Sequence, residues 1–293
     1  MGGTGQSAGH GARKTPPRTS AAQKKKPQQT QQKPQQPPKP KAASDIDAMV
    51  ALASKSGTKA DQDLADLIAK NHKGVAVDSN QQAKDTQRFF NGIGWANQKP
   101  VVVANEQALE DAKNRGETSG QYFYHTDAPY GAVADAQDFA KQFLGGGRQF
   151  LSAGWHGDGT YFSNDESDSW DYGYGSNKAY QVKGMLNKNA KVIQESTLMR
   201  KMSAFKRSHP AAARQIDAMS SAWDDEEGKK SIYAALFGYN VIQSLQGGHD
   251  YLTVLNRSAV TVARKGFHHS DRSKSRFSGF SASGFYKPVW KYT

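Results

Sequence analysis

The sequence predicts an α+β fold that follows a disordered N-terminal tail. Helical patterns dominate residues 44–115, and short strand patterns dominate the part that follows, up to residue 255. Turns separate the strand segments, and few of them are joined by a helical crossover. This order favours mixed or antiparallel sheets over a doubly wound parallel sheet.

The tail covers residues 1–43. It holds nine Lys and Arg residues, no Asp or Glu, and almost no apolar side chain among its Gly, Pro and Gln residues. Such a segment cannot bury enough surface to offset the entropy of ordering it, so we expect it to be disordered. It would act either as a docking arm for nucleic acid or protein, or only as a solubilising tether.

The C-terminal extension, residues 264–293, is also basic. It carries seven Lys and Arg residues against Asp271 alone, so the net charge of +12 resides at the two ends of the chain. Aromatic residues are interleaved with its basic residues. This pattern would either stack on single-stranded nucleic acid or pack back on the domain, and a polyanionic partner is expected only at the ends.

The composition excludes several kinds of site. The chain has no cysteine, which excludes a disulfide framework and a thiolate metal site. No apolar run reaches about 18 residues, so no membrane span is expected, and no secretory leader is apparent. His268 and His269 lack metal-ligand spacing to other donors, so we expect no metal site. A cytoplasmic location follows as the expectation.

Several helices and strands are expected in order along the chain. Helices are expected over residues 44–52, 58–68, 81–90, 105–115, 211–219 and 230–236, with a further one ending at Gly145. Strands are expected over residues 99–103, 121–124, 159–162, 179–184, 190–193, 239–243 and 251–255. Residues 44–84 form either a helical appendage or an N-terminal flank of the main domain, which we place at residues 85–263.

Three stretches combine side chains that suit one chemical task. They are Tyr124-His125-Thr126, residues 157–172 and residues 249–258. Breaking the bond between nicotinamide and ribose requires aromatic faces that hold the pyridinium ring. It also requires a carboxylate that stabilises the positive charge developing on the ribose, and glycine where a ligand approaches the backbone.

Together these stretches resemble the ADP-ribosyltransferase family, in its histidine-tyrosine-acid branch of the diphtheria-toxin and poly(ADP-ribose) polymerase type. In that family a histidine ends the first strand, a tyrosine follows in a Gly-x-Tyr-Phe strand, and a second tyrosine lies on the next helix. This chain has His125, Tyr161 and Tyr172 in those places. The resemblance implies that His125 binds a ribose hydroxyl of NAD and that both tyrosines pack on nicotinamide.

The resemblance covers about residues 85–263 and implies split mixed or antiparallel sheets around an NAD cleft. Residues 183–193 look like a hairpin that is common in bacterial and phage members, and so do residues 238–242 followed by residues 251–258. It further implies a bacterial or phage-encoded transferase, cytoplasmic or virion-associated, that modifies a protein target.

Two positions depart from the family pattern. Thr126 stands where the family usually has the glycine whose backbone binds the carboxamide, and a backbone contact survives that change. Asp250 stands where the family has its catalytic glutamate, near the start of the last strand pair.

The remaining candidate residues follow from this assignment. Besides the catalytic His125, Tyr161 and Asp250, the NAD-binding candidates are Tyr124, Thr126, Gly159, Tyr172 and Arg148. The alternative acids, which would otherwise contact the target, are Asp158, Asp165 and Glu166.

Other interpretations remain open from the sequence. Each tyrosine would also suit a packing role, His125 a half-buried structural position, and Asp250 a turn. The alternative functions are a structural, virion-associated protein that keeps the fold without catalysis, and a basic protein that binds nucleic acid through its ends.

Overall fold

The computed structural model describes residues 45–72, 84–95, 98–127, 143–144, 157–171, 180–219, 226–263 and 267–268. The expectations for the tail, for Arg148, for Tyr172 and for most of the C-terminal extension lie outside these residues. So does most of the helix expected to end at Gly145.

Eight α-helices and nine strands are described. The helices are α1 Asp45–Ala53, α2 Thr58–His72, α3 Lys84–Gly92, α4 Glu106–Asn114, α5 Glu166–Asp171, α6 Glu195–Ser208, α7 Pro210–Asp217 and α8 Glu226–Leu236. The strands are β1 Val101–Val103, β2 Thr118–Asp127, β3 Thr160–Ser163, β4 Tyr180–Asn187, β5 Val192–Gln194, β6 Val241–Gln246, β7 His249–Val254, β8 Val260–Ala263 and β9 Phe267–His268. A short 3₁₀-helix, Arg257–Ala259, precedes β8.

The described strands form one mixed sheet in the order β1-β8-β4-β2-β3-β7-β6-β5, with β9 beside β4. The pairs β1–β8 and β5–β6 are parallel, and the other pairs are antiparallel. The expected α+β class with a mixed sheet is therefore confirmed. None of the described helices has both the length and the apolar character that a membrane span requires.

The hairpin expected over residues 183–193 is wrong. The turn is present, because the N–H of Ala190 donates to the carbonyl of Asn187 at 2.9 Å. However, β4 pairs with β2, β8 and β9, whereas β5 pairs with β6 at the far end of the sheet. Ile193 explains the departure: it is buried in the helical core, so burying it draws β5 away from β4.

Helices cover one face of the sheet with the largest apolar core of the described residues. This helical core combines residues of α1, α2, α3, α6, α7 and α8 with Ile193, Ile242 and Leu255 from the sheet side. The N-terminal helices therefore flank the main domain and are not a separate appendage. A second core lies on the opposite face and contains Phe123, Phe162, Val182 and Leu252.

A buried carboxylate joins the N-terminal helices to the rest of the helical core. Asp61 of α2 accepts hydrogen bonds from the N–H groups of Ala211 and Ala212, at 2.8 and 2.9 Å. These are among the first N–H groups of α7, which have no acceptor within their own helix. Asp61 therefore caps α7 from a distant part of the chain, and its negative charge suits the positive end of that helix.

We expect Asp61→Ala to lower the free energy of unfolding by about 2 kcal/mol, because two N–H groups lose their acceptor in a buried place. Asp63→Ala is the matched control. The Asp63 carboxylate lies on the same helix but is exposed and pairs with Lys59 at 3.3 Å, so its loss should cost less than about 0.5 kcal/mol. Chemical denaturation measures both changes, and equal effects would contradict the capping role.

Candidate functional site

Three neighbouring strands carry His125, Tyr161 and Asp250. His125 belongs to β2, Tyr161 to β3 and Asp250 to β7. These strands stand side by side in that order. The antiparallel pairing of β3 with β7 sets Tyr161 opposite Thr253 and continues toward Asp250 at the strand end. Residues far apart in the sequence thus meet in one part of the sheet.

The junction between β2 and β3 is the narrowest in the described sheet. A single residue pair, Tyr124 with Ser163, joins the two strands, whereas β2 pairs with β4 along most of its length. A side chain supplements this short ladder. Nδ1 of His125 donates a hydrogen bond to the backbone carbonyl of Tyr161.

The His125 imidazole is neutral at physiological pH. Its half-buried ring lies beside Phe162, with 5.4 Å between the ring centroids. Burial lowers the pKa of His125 to about 4, although the hydrogen bond to the Tyr161 carbonyl opposes that change. Because Nδ1 carries the proton, Nε2 is a hydrogen-bond acceptor, which suits a sugar hydroxyl.

The candidate side chains lie on both faces of the sheet. Alternation along β2 places His125 on the same face as Phe123, which belongs to the second core together with Phe162 and Leu252. Alternation along β7 places Asp250 on that face too. Tyr161 lies on the other face, so the structure brings its backbone to His125 but not its side chain. The stacking role of Tyr161 stays a prediction.

A glycine turn leads into β3 and holds the Tyr161 side chain. The Tyr161 hydroxyl donates to the backbone carbonyl of Gly157. Gly157 has a φ of +105°, and a Cβ there would lie 2.6 Å from Oγ of Ser231 in α8. A Cβ on Gly159 would lie 2.5 Å from a methyl group of Thr253. Packing therefore requires both glycines, which gives Gly159 a reason other than the expected approach of a ligand.

Asp250 has a fixed backbone and a half-buried side chain. Its N–H donates to Oδ1 of Asn164 at 3.1 Å, and its carbonyl accepts from the N–H of Asn164 at 3.0 Å. Across the β6–β7 hairpin it is paired with Leu245. Neither hydrogen bond uses the carboxylate, so a change of that group should leave this part of the backbone in place.

The flanking candidates on β2 have structural partners. The Tyr124 ring lies 5.9 Å from the ammonium of Lys183. Thr126 is buried, and its hydroxyl contacts Ser169 at 2.9 Å and accepts from the amide of Gln181 at 3.1 Å. The Thr126 side chain is thus committed to a network between β2, β4 and α5. The contact with the nicotinamide carboxamide that the resemblance implies would therefore have to use the backbone of Thr126.

The three alternative acids differ sharply in surroundings. Asp165 caps α5, because its carboxylate accepts a hydrogen bond from the N–H of Asp168 at 2.9 Å. This hydrogen bond is the main reason that the pKa of Asp165 is lowered. Glu166 is the half-buried first residue of α5. Asp158 is fully buried and accepts from the Thr86 hydroxyl at 2.6 Å. Burial raises the pKa of Asp158 to about 7, although the hydrogen bond from the Thr86 hydroxyl acts to lower it.

Sequence reasoning missed two features near this site. Thr86 carries no motif, and only the tertiary fold shows that it bonds Asp158. Leu245 is 71% exposed beside Asp250. In the sequence, the signal for this exposed side chain is an apolar residue shortly before Gly247-Gly248, the turn of a hairpin.

Comparison with protein-family models, with curated proteins and with solved structures finds no match to this chain. Within the described residues, no cluster of three or more His, Cys, Asp or Glu side chains is placed to hold a metal ion. Interpretation of the site therefore depends on its own residues.

We expect His125 to lower the free energy of unfolding at acid pH. Its pKa is about 4 in the folded chain and about 6.5 when unfolded. The unfolded chain therefore binds the proton first, and stability is lost as the pH falls from 6.5 through 4. His125→Gln removes this titration, so its loss of unfolding free energy over the same pH range should be smaller by about 2 kcal/mol. The full pKa difference would give a larger value, but the half-buried ring keeps part of its hydration.

Denaturation at a series of pH values measures this difference. His249→Gln, at a side chain that is 41% exposed, controls for the substitution itself. An unchanged loss of stability at acid pH in His125→Gln would show that burial of this ring does not control the titration.

Proposed function

We propose that the chain is an NAD-dependent ADP-ribosyltransferase that modifies a protein. The observation that supports this most directly is the placement of a neutral histidine, a tyrosine and an acid on the neighbouring strands β2, β3 and β7, of which β2 and β3 are joined by the shortest ladder among the described strands. The resemblance described for the sequence assigns the same three residues to NAD.

His125 and Asp250 lie at a separation that suits part of NAD. Both side chains lie on the same face of the sheet, on the two strands that flank β3. They are offset from each other by about two residues along the strands. Strand spacing and rise give roughly 12 Å between their Cα atoms. Side chains that extend from both positions can reach one ribose.

The residues would divide the reaction as follows. Nε2 of His125 accepts a hydrogen bond from a ribose hydroxyl and orients the sugar. The bond between C1′ and the nicotinamide nitrogen breaks, and its electron pair leaves with nicotinamide. Asp250 stabilises the positive charge left on the ribose. A nucleophile of the target protein then attacks C1′ and releases its proton.

We expect Asp250→Asn to lower NAD turnover by roughly 10²-fold, the usual scale for losing one electrostatic stabiliser, with little change in NAD affinity. The charge acts mainly on the transition state, so binding should be spared. Asp250→Glu restores the acid of the family and should retain or raise activity. Release of nicotinamide from labelled NAD measures turnover.

Two outcomes would contradict this assignment. If Asp250→Asn matches the parent, the acid lies elsewhere, and Glu166 is the next residue to test. If the parent releases no nicotinamide with any bacterial lysate, catalysis by this chain is ruled out under those conditions and the proposal fails.

The target protein would meet the chain at the β6–β7 hairpin. Leu245 is exposed there, directly opposite Asp250. A large apolar side chain in water beside the reacting centre is a suitable contact for a protein surface. Val101, 52% exposed on the edge strand β1, is the other large exposed apolar residue in the described part of the chain.

We expect Leu245→Ser to reduce transfer of ADP-ribose to lysate proteins at least about fivefold, the scale of losing one apolar anchor. NAD hydrolysis without a target should stay near the parent rate, because the substitution adds no charge beside Asp250 and leaves His125 and Asp250 in place. Val101→Ser is the matched control and should preserve both activities. Equal transfer by the parent and Leu245→Ser would exclude this hairpin as the docking point.

A further inference from the structure

The segment before β3 contains a buried acid that the proposed reaction does not use. Asp158 stands between Gly157 and Gly159 and is 0% exposed. Its Oδ2 accepts from the hydroxyl of Thr86 in α3. Its Oδ1 is buried and has no hydrogen-bond partner among the described residues. A carboxyl group in this setting is expected to serve a purpose, since burying it is costly.

The position of Asp158 connects it to Tyr161. The adjacent Gly157 supplies the carbonyl that accepts the Tyr161 hydroxyl. Gly157 is packed closely against α8, since a Cβ there would lie 2.6 Å from Oγ of Ser231. Because Gly157 directly precedes Asp158 in the chain, a shift of Asp158 relative to Thr86 would also shift the Gly157 carbonyl, and with it the orientation of the tyrosine ring.

We propose that Asp158 is a positioning residue for Tyr161, and that loss of its proton loosens the turn at Gly157 and weakens NAD binding. The inference rests on the proposed function, because it assumes that Tyr161 contacts NAD. A neutral Asp158 fits its fully buried position, whereas an ionised one favours movement toward water. Burial raises the pKa of Asp158 to about 7, so the change falls in the physiological range.

The charged groups on the elements packed around Asp158 have partners of their own. On α3, Asp85 pairs with Arg88 at 3.1 Å and with His72 of α2 at 3.0 Å. On α8, Lys230 pairs with Glu195 at 2.6 Å. Burial is the largest influence on Asp158, ahead of the Thr86 bond. Because histidine side chains in general titrate near neutrality, substitutions are needed to isolate the effect of Asp158.

The test is the affinity for NAD as a function of pH in the full chain. For the parent we expect the dissociation constant to rise about tenfold from about pH 6 to about pH 8, the size of losing one net hydrogen bond. Asp158→Asn imitates the neutral acid and should keep the tight value throughout. Thr86→Val removes the hydroxyl that lowers the pKa of Asp158, so its midpoint should move to higher pH.

A second measurement works without NAD. Carbon-13 at the ring carbon that bears the hydroxyl reports the hydrogen bond of Tyr161, and Tyr161→Phe assigns its signal. We expect the signal to titrate near neutral pH in the parent and to stay constant in Asp158→Asn. The same titration in both chains would overturn the positioning role. If the signal behaves as expected while the parent binds no NAD at any pH, the positioning role stands and the proposed function fails.

Discussion

Strand β3 joins the two halves of the sheet with four residues. It pairs with β7 along its length, but with β2 only through Tyr124 and Ser163. So short a ladder needs further support, which comes from the bond between His125 and the Tyr161 carbonyl and from the contact of His125 with Phe162. His125, to which the proposed function gives a role toward NAD, is therefore also part of the junction, so its removal should affect stability whatever its effect on the proposed substrate.

The entry to β3 shows how closely this junction is packed. A side chain on either Gly157 or Gly159 would collide with α8 or β7, so the chain can carry a side chain only between them, at Asp158. Oδ1 of Asp158, Oγ of Ser231 and Oγ1 of Thr253 are all buried there without a hydrogen-bond partner in the described part of the chain. Sequences tolerate such costs mainly where a site needs a polar group, and this concentration beside Tyr161 supports a functional role for the turn.

The sequence predicted local features better than long-range ones. The capped helices and most strands were found because their signals, such as Asn105 before α4, act over a few residues. Helix α6 was missed although Leu198, Met202 and Phe205 follow helical spacing. The pairing of β5 with β6 was missed because a turn signal shows where a strand ends but not which strand it will join. The adjacency of His125 and Tyr161 was implied by a resemblance, whereas their opposite faces emerge only from the register.

Those opposite faces would restrict where NAD, the proposed substrate, could bind. The face that carries Tyr161 is covered nearby by α8 and the helical core, and the face that carries His125 packs on the second core. A ligand that lies flat on either face would reach only one of the two side chains. A molecule that contacts both must lie across the strand ends, where the ladder between β2 and β3 has stopped. In the proposed reaction the ribose would meet His125 and Asp250 on one face, and nicotinamide would have to pass the end of the short ladder to reach Tyr161 on the other face. The short junction between β2 and β3 is thus the place in the described sheet where the proposed substrate could pass from the face of His125 to the face of Tyr161.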